Sequence, residues 1–323
     1  MDKPEVTILM ATYNGECYIR QQLNSLVAQT YPNWHLLIRD DGSTDRTVEI
    51  IDEYISRYRQ LSRIIKTGGE KGAVANFSAL FTAVSHDRQV NYVMFCDQDD
   101  IWKADKIERT MAAMQLIEGQ YPAEPALVYG NFELMDNDGN YVPGEFRLKH
   151  QVKLNSLLSF NYVYGCTSML NRAMIIEVGD IPLSCINHDY WLALVASLYQ
   201  SRFINVRLLR YRQHDQNASG NVAGNNSLLA RVERNLLSPG REIDNMAKRL
   251  NMFREFQHRY GQKMSKADHK MLERYLNAFA SGRIEVIYAM ARYRLFRNGL
   301  WQTIAPFLQV LLFYPRIIEK IKR

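Results

Sequence analysis

The first 135 residues alternate between short apolar runs and segments in which apolar side chains recur at helical spacing. The helical patterns include Ile19–Val27 and the stripe of Phe77, Leu80, Phe81 and Val84. The apolar runs are Val6–Thr12, Trp34–Arg39, Ile64-Ile65, Tyr92–Cys96, Ala126–Tyr129 and a further short run at Phe132–Met135. Such an alternation predicts an α/β fold with a parallel, doubly wound sheet and right-handed crossovers. Ligands of such sheets bind beyond the carboxyl ends of the strands.

An acidic cluster, Asp97-Gln98-Asp99-Asp100, follows the apolar strand Tyr92–Cys96. Two carboxylates one residue apart at a strand end can face the same cleft as the chain turns. Carboxylate oxygens are hard ligands that suit Mg²⁺ or Mn²⁺, which in turn bind phosphate oxygens. The structural alternative is a solvated turn or a helix cap ahead of Lys103–Ile117, and an isolated D-x-D motif does not exclude it.

Two more polar clusters follow strands. Asp40-Asp41-Gly42-Ser43-Thr44-Asp45 is either a turn with Ser43 or Thr44 capping the next helix, or a contact for the ribose and base of a nucleotide. Thr12-Tyr13-Asn14 is either a loop or an edge that stacks on a base and contacts a ribose. Both alternatives stay open on the residues alone.

The sequence argues against several other cofactors and metals. Gly68-Gly69 and Gly72 allow close backbone approach to a ligand, but no G-x-G-x-x-G fingerprint and no P-loop is present, which argues against NAD and ATP-kinase chemistry. Cys17, Cys96, Cys166 and Cys185 contain no C-x-x-C spacing, so a structural zinc site is not expected. We expect four buried free thiols in a reducing cytosol.

The order and spacing of the three polar clusters resemble glycosyltransferase family 2, over about residues 4–215. The clusters are Thr12-Tyr13-Asn14, Asp40–Asp45 and Asp97–Asp100. The segment Cys96–Trp102 is similar to bacterial rhamnosyltransferases of surface polysaccharide synthesis. The resemblance implies a GT-A fold and metal-dependent, inverting transfer of a sugar from a nucleotide-diphospho-sugar. The donor expected is dTDP-L-rhamnose, with a UDP-hexose or UDP-N-acetylhexosamine as the alternative. Because Q-x-x-R-W is absent, the transfer is expected to be non-processive.

The resemblance also assigns roles to individual residues. Asp189 takes the position of the catalytic base, although His188 precedes it where the family has a glutamate. Asp97 and Asp99 are expected to hold Mg²⁺ or Mn²⁺, together with His214. The residues expected to bind the donor nucleotide are Thr12, Tyr13, Asn14, Asp40, Asp41, Lys71 and Asp97. The residues expected to hold the acceptor or to support the site are His188, Trp191, Arg212 and Trp102.

Charge divides the chain unevenly. Residues 1–200 contain 17 Lys and Arg and 25 Asp and Glu, whereas residues 201–323 contain 23 and 9. We therefore expect a catalytic domain over 1–218 and a basic helical region over 219–323, with a Gly/Asn-rich break at Ser219–Asn226. The basic region predicts an anionic partner. Nucleic acid is a remote alternative, because no aromatic–basic recognition motif accompanies the charge.

The segment Leu300–Tyr314 is apolar, has Arg residues before and after it, and contains Pro306. It is too short and too interrupted for an ordinary transmembrane helix but suits a helix lying in the membrane interface. The alternatives are a helix packed on the catalytic domain and a homodimer contact. The N-terminus has no apolar signal region. We expect a cytoplasmic protein, peripheral on the inner face of the plasma membrane, with a polyprenyl-diphosphate-linked glycan as acceptor.

Overall fold

The computed structural model describes residues 3–64, 70–144, 148–214, 239–295 and 300–322. Its strands follow the predicted apolar runs closely. Ile65, Gly68, Gly69 and the break at Ser219–Asn226 lie outside the described residues. In chain order the strands are β1 (Val6–Thr12), β2 (Trp34–Asp40), β3 (Leu61–Ile64), β4 (Tyr92–Asp97), β5 (Ile101–Trp102), β6 (Ala126–Met135), β7 (Tyr141–Val142), β8 (Met169–Asn171) and β9 (Gln200–Arg212).

Helices connect these strands and form most of the C-terminal part. Those that follow strands in the first half carry one buried apolar face, as the spacing predicts. The helices are α1 (Ile19–Val27), α2 (Thr47–Arg57), α3 (Ala73–Ser85), α4 (Lys106–Gln120), α5 (Leu154–Leu157), α6 (Arg172–Val178), α7 (His188–Ala196), α8 (Gly240–Tyr260), α9 (Lys266–Ser281), α10 (Arg283–Arg292) and α11 (Leu300–Lys322).

The nine strands form one sheet in the order β3-β2-β1-β4-β8-β6-β9-β5, with β7 paired to β6. β3, β2, β1 and β4 are parallel neighbours. β8 runs antiparallel between β4 and β6, and β6 is parallel to β9. The predicted mostly parallel α/β sheet is confirmed, and the carboxyl ends of β1, β2 and β4 lie at one edge.

The central strands β1 and β4 are buried on both faces, which explains their nearly continuous apolar sequence. Ile8, Met10 and Ile38 face one core together with helix residues such as Leu23 and Ile51. The opposite face of the central strands packs on α3, where Phe81 stacks on Phe95. Burial of this kind contributes about 25 cal/mol per Å² of apolar surface and fixes the strand register that aligns the polar ends.

Three local predictions were wrong in detail. The two runs at Ala126–Tyr129 and Phe132–Met135 form the single strand β6, whose pairing with β9 shifts register near Gly130 and Asn131. Ser43 and Thr44 do not cap α2, because Ser43 hydrogen-bonds Asp40 inside the turn; Asp45 instead accepts from the Thr47 N–H. Cys17 is exposed, whereas the other three free cysteines are buried.

The chain forms two compact units. The N-terminal unit contains Met1–Gln151, Val163–Leu183 and Tyr199–Ala223, and therefore the whole sheet. The helical unit contains Val152–Tyr162, Ser184–Leu198 and Gly224–Arg323. The division thus differs from the single boundary expected near residue 218, because two earlier segments pack with the C-terminal helices. These segments carry α5 and α7.

Apolar packing holds the helical unit together. Trp191 of α7 is fully buried and meets the rings of Phe256 and Tyr260 of α8 at 6.1 Å. The Tyr190 ring packs edge-on against Phe253 of α8. None of the helices in the described ranges is long and apolar enough to cross a membrane.

Candidate donor and metal site

A cavity of about 640 Å³ opens at the carboxyl ends of β1, β2 and β4. Parallel pairing brings these ends together: Thr12 is in register with Asp40, and Ala11 is in register with Asp97. The sheet therefore gathers the three polar clusters that the sequence separates by up to 85 residues. A cavity of this size is typical of a small-molecule site.

The β1 end forms one wall of the cavity. Thr12, Tyr13 and Asn14 all line it, and the Tyr13 side chain is 53% exposed. Asn14 has a φ of 45°, in the left-handed region that asparagine tolerates better than most residues. Its side-chain oxygen accepts from the Thr44 N–H at 2.8 Å, which joins the β1 and β2 loops. An exposed aromatic ring on a fixed backbone can stack on a nucleobase.

The two aspartates after β2 have different surroundings. The Asp40 carboxylate accepts from the Ser43 N–H at 2.7 Å, the Gly42 N–H at 2.9 Å and the Thr12 hydroxyl at 2.9 Å. Asp40 therefore closes the turn and does not line the cavity. Asp41 does line it, so of the two aspartates only Asp41 could contact a ligand in the cavity.

A buried arginine orients Asp41. The Arg39 guanidinium lies 3.5 Å from the Asp41 carboxylate and donates to the Asn76 side chain of α3 at 2.9 Å. Asp41 also accepts from the Gly72 N–H at 2.6 Å. Gly72 has a φ of +102°, which L side chains rarely adopt, so a glycine is needed at this approach to α3. Lys71, beside it, also lines the cavity.

The acidic cluster after β4 is connected to the β1 loop through Gln98. The Gln98 side chain accepts from the Tyr13 N–H and donates to the Tyr13 carbonyl, both at 2.9 Å. Gly15 is needed alongside, because a Cβ there would lie 2.4 Å from the Gln98 side chain. This two-point amide contact ties the backbone under the exposed Tyr13 ring to the segment that carries Asp97 and Asp99.

Asp99 and His214 lie together at the cavity. The His214 Nε2 is 2.7 Å from the Asp99 Oδ2, and the His214 ring stacks on Tyr18 at 5.0 Å between centroids. Both residues line the cavity with Asp97. Residues 115 positions apart thus bring an imidazole and two carboxylates to one cavity, and the carboxylates are ligands that suit Mg²⁺ or Mn²⁺.

Arg212 is a buried support and does not line the cavity. Its side chain donates to the carbonyl oxygens of Asp99 at 2.8 Å and Asn137 at 2.7 Å, and to the Gln21 side chain at 2.6 Å. The guanidinium also lies 4.8 Å from the Tyr18 ring centroid. The Arg212 side chain therefore fixes the backbone of Asp99. His214 follows Arg212 by two residues, so the same segment positions both Asp99 and His214.

Two buried ionisable residues, Asp100 and Lys106, accompany the acidic cluster after β4. Burial raises the pKa of Asp100 well above its usual value, whereas burial lowers the pKa of Lys106 to about 7. The Lys106 ammonium donates to the Cys166 carbonyl and lies 3.1 Å from the Trp102 ring centroid. Among the described residues, Asp97, Asp100 and Cys166 are the group of three whose ligand atoms all lie within 4.8 Å of one another. Trp102 is a core residue and does not line the cavity.

The remaining predicted residues belong to the helical unit. Asp189 lies in the first turn of α7 and is partly buried; its carboxylate accepts from the Asn161 amide at 3.0 Å. His188 is buried, and desolvation lowers the pKa of its imidazole to about 3, so the ring is neutral at physiological pH. The fully buried Trp191 is a packing residue of this unit.

Four residues with clear structural roles were not predicted: Arg39, Gln98, Tyr18 and Tyr211. Tyr18, Gln98 and Tyr211 line the cavity, and Arg39 orients Asp41. A sequence signal exists for Arg39, which is a lone cation at the end of an otherwise apolar strand. No local signal marks Tyr18, because its partner His214 is distant in sequence.

The family model for glycosyl transferase family 2 matches residues 7–176, which is more than half of the chain. The chain belongs to glycosyl transferase family 2. It is therefore a glycosyltransferase, and the predicted resemblance is confirmed. The match ends before Asp189 and His214.

Curated relatives carry related names. A dTDP-rhamnosyl transferase, RfbG, of Shigella flexneri is 29% identical over 226 residues, covering 65% of this chain and 73% of the relative. The Escherichia coli UDP-Glc:alpha-D-GlcNAc-diphosphoundecaprenol beta-1,3-glucosyltransferase WfgD is 33% identical over 195 residues, covering 60% and 70%. A putative teichuronic acid biosynthesis glycosyltransferase, TuaG, of Bacillus subtilis is 28% identical over 224 residues, covering 68% and 83%.

Solved structures share the fold. Staphylococcus aureus TarS 1–349 in complex with UDP-GlcNAc has a TM-score of 0.53 at 16% identity, covering 98% of this chain and 89% of that one. The mannosyltransferase PcManGT of Pyrobaculum calidifontis, in complex with GDP-Man and Mn²⁺, has a TM-score of 0.53 at 14% identity, covering 100% and 86%. At these identities the likeness establishes the GT-A fold and nothing finer.

Proposed function

We propose that this glycosyltransferase transfers one sugar from a nucleotide-diphospho-sugar to a lipid-linked glycan in cell-surface polysaccharide synthesis, with inversion at the anomeric carbon. The observation that carries the proposal is the convergence of Asp97, Asp99 and His214 with the exposed ring of Tyr13 in one cavity. A nucleotide-diphospho-sugar requires both a stacking surface for its base and a neutralised site for its diphosphate. The names of the curated relatives support the polysaccharide setting.

Carboxylates are ligands that a divalent cation prefers. Asp97, Asp99 and His214 would have to move closer together to share one ion, because their ligand atoms do not all lie within 4.8 Å of one another. The carboxylates of Asp97 and Asp99 and the imidazole of His214 would hold Mg²⁺ or Mn²⁺. When bound, such an ion supplies Lewis-acid stabilisation of the charge that develops on the leaving diphosphate. Without a cation, the two carboxylates would repel a dianionic diphosphate. Tyr13, Asn14, Asp41 and Lys71 would bind and orient the nucleoside part of the donor.

We assign the general base to Asp189. It would take the proton of the acceptor hydroxyl as that oxygen attacks the anomeric carbon and the diphosphate leaves, a contribution of about 10²–10⁴ in rate. The Asn161 amide donates to this carboxylate at 3.0 Å and thereby orients it. His188 is neutral and buried, and would support the start of α7 without exchanging protons at neutral pH.

Two donor classes are supported by different relatives. The dTDP-rhamnosyl transferase favours dTDP-L-rhamnose, and the UDP-glucosyltransferase favours a UDP-hexose. We take dTDP-L-rhamnose as the first candidate because the segment Cys96–Trp102 resembles rhamnosyltransferases. The polyprenyl-diphosphate acceptor and the peripheral position at the inner face of the plasma membrane belong to the same proposal.

Calorimetric titration tests the donor assignment. dTDP-rhamnose, UDP-glucose, UDP-galactose and UDP-N-acetylglucosamine are titrated with Mn²⁺, with Mg²⁺ and with a chelator. Selective, cation-dependent binding of one donor supports the proposal and names the sugar. If the folded protein binds none of these donors or their free nucleotides, the carboxylates have a structural role and the proposed donor site is wrong.

Asp189→Asn separates binding from catalysis. The variant keeps a side chain that can contact Asn161 but loses the basic carboxylate, so donor binding should persist while transfer falls by about 10²–10⁴. Turnover is measured by release of the nucleoside diphosphate from the selected donor with a synthetic lipid-linked acceptor. Unchanged turnover would remove Asp189 as the base and leave the rest of the proposal standing.

A further inference from the structure

The last two helices expose an unusual amount of apolar surface. On α10, Ile284 is 74% exposed and Tyr288 is 64% exposed. On α11, Leu311 and Leu312 are 43% and 54% exposed. Single exposed apolar residues are ordinary, but a group of large ones on neighbouring helices indicates a contact surface.

The exposed side chains lie on two helices that contact each other. Ile284 and Tyr288 are four residues apart, so they share one face of α10. The Arg283 guanidinium donates to the Leu311 carbonyl at 3.0 Å, which brings the start of α10 within one side-chain length of Leu311 and Leu312. We name Ile284, Tyr288, Leu311 and Leu312 the apolar patch.

The sequence that carries the apolar patch is basic. Residues 283–323 contain eight Lys and Arg and two Glu. Arg292 lies one helical turn after Tyr288 and is exposed, and Arg316 lies one turn after Leu312, with its guanidinium 5.9 Å from the Phe313 ring centroid. Apolar side chains flanked by cations and aromatic rings match the boundary between anionic headgroups and acyl chains.

We propose that the apolar patch docks the enzyme on an anionic lipid surface, with Ile284, Tyr288, Leu311 and Leu312 entering the headgroup region and Arg292 and Arg316 contacting lipid phosphates. The charge of this region favours an anionic membrane over a second copy of the chain, because two copies would bring like charges together. The inference deepens the proposed function by naming the surface that reaches a lipid-linked acceptor. It also moves the contact from the predicted segment Leu300–Tyr314 alone to α10 and α11 together.

Flotation with vesicles tests the apolar patch. The full chain is mixed with phosphatidylcholine vesicles with or without phosphatidylglycerol, at low and high salt. We expect binding only with phosphatidylglycerol and weaker binding at high salt. The double variants Ile284→Ser/Tyr288→Ser and Leu311→Ser/Leu312→Ser should each lower the partition coefficient by about tenfold or more. The variants Arg292→Gln and Arg316→Gln should lower it by about fivefold each.

Ile176→Ser is the matched control, because Ile176 of α6 is 62% exposed but belongs to the N-terminal unit. It should bind vesicles like the unmodified chain, and circular dichroism checks that every variant is folded. Absence of vesicle binding, or equal losses in the control, would overturn the proposal. The proposal would also be overturned if sedimentation showed that the patch substitutions dissociate a dimer while vesicle binding is unchanged. Donor titrations without vesicles report on the proposed function separately, so failure of one is distinguishable from failure of the other.

Discussion

Replacing Arg212 with methionine should weaken both the fold and the metal site. Arg212 is 1% exposed, and its guanidinium donates to backbone carbonyls that include those of Asp99 and Asn137. It also donates to Gln21 and lies against the Tyr18 ring. Methionine keeps most of the apolar length but removes every donor, so these oxygens lose their partners inside the protein.

The structure gives the size of the loss. The hydrogen bonds to Asp99 and Asn137 are only partly buried, so water can replace part of what the variant loses. We therefore expect a fall of about 1–3 kcal/mol in the free energy of unfolding, which a domain stable by about 5–15 kcal/mol would survive. Because the Asp99 backbone is then held less firmly against His214, the Mn²⁺ affinity should fall by about 10–100-fold.

Urea unfolding without metal measures the stability loss, and calorimetric titration of Mn²⁺ in the presence of a bound nucleotide measures the affinity. Arg210→Met is the matched control: Arg210 lies two residues earlier on β9, and its side chain is 50% exposed and 3.7 Å from Glu133. The control should lose under about 1 kcal/mol, as exposed ion pairs do. Arg212→Lys should recover only part of the loss, because an ammonium lacks the planar fork. Equal stability losses for the two methionine variants, with unchanged Mn²⁺ affinity, would refute the reasoning.

Three further outcomes are expected. Asp99→Asn should keep the fold and lose cation-dependent donor binding, because it removes a carboxylate at the cavity; calorimetry with Mn²⁺ and with chelator checks this, and undiminished cation dependence would exclude Asp99 as a ligand. Tyr13→Ala should weaken nucleotide binding by about 1–3 kcal/mol with unchanged urea stability, since the ring is 53% exposed; equal affinities would remove the stacking role. Burial lowers the pKa of His188 to about 3 from the usual 6.5, so the unfolded chain binds more protons between these values and stability is lost as pH falls through that window. His188→Leu should lack this acid-dependent loss, on the order of 4 kcal/mol by pH 3, in urea titrations across the range; parallel pH profiles for the two proteins would contradict the assigned cause.

Much of the fold follows from local sequence. The runs Val6–Thr12 and Tyr92–Cys96 are apolar enough to be buried on both faces, and the intervening helices carry one apolar face. Such patterns act through neighbouring residues, so they can be read without knowledge of distant partners. They also place Asp97, Asp99 and Tyr13 at strand ends, where a ligand site of this sheet must lie.

The functions of adjacent residues were harder to separate. Asp40 and Asp41 are equivalent in sequence, yet Asp40 closes its own turn and Asp41 faces the cavity. The difference depends on their backbone partners: the Ser43 N–H donates to Asp40, and the Gly72 N–H donates to Asp41. Trp102 was assigned to the site because of its motif, but its ring packs on Lys106 in the core.

Sequence alone determined the α/β alternation, the acidic strand ends and the basic C-terminal part, because each is a property of consecutive residues. Tertiary structure decided that His214 meets Asp99 and that Arg212 holds the Asp99 backbone. It also decided that the Arg283 side chain at the start of α10 reaches the Leu311 carbonyl of α11. These contacts join residues separated by 28 to 115 positions. Their geometry is set by how the sheet and helices pack, and no local pattern encodes that packing.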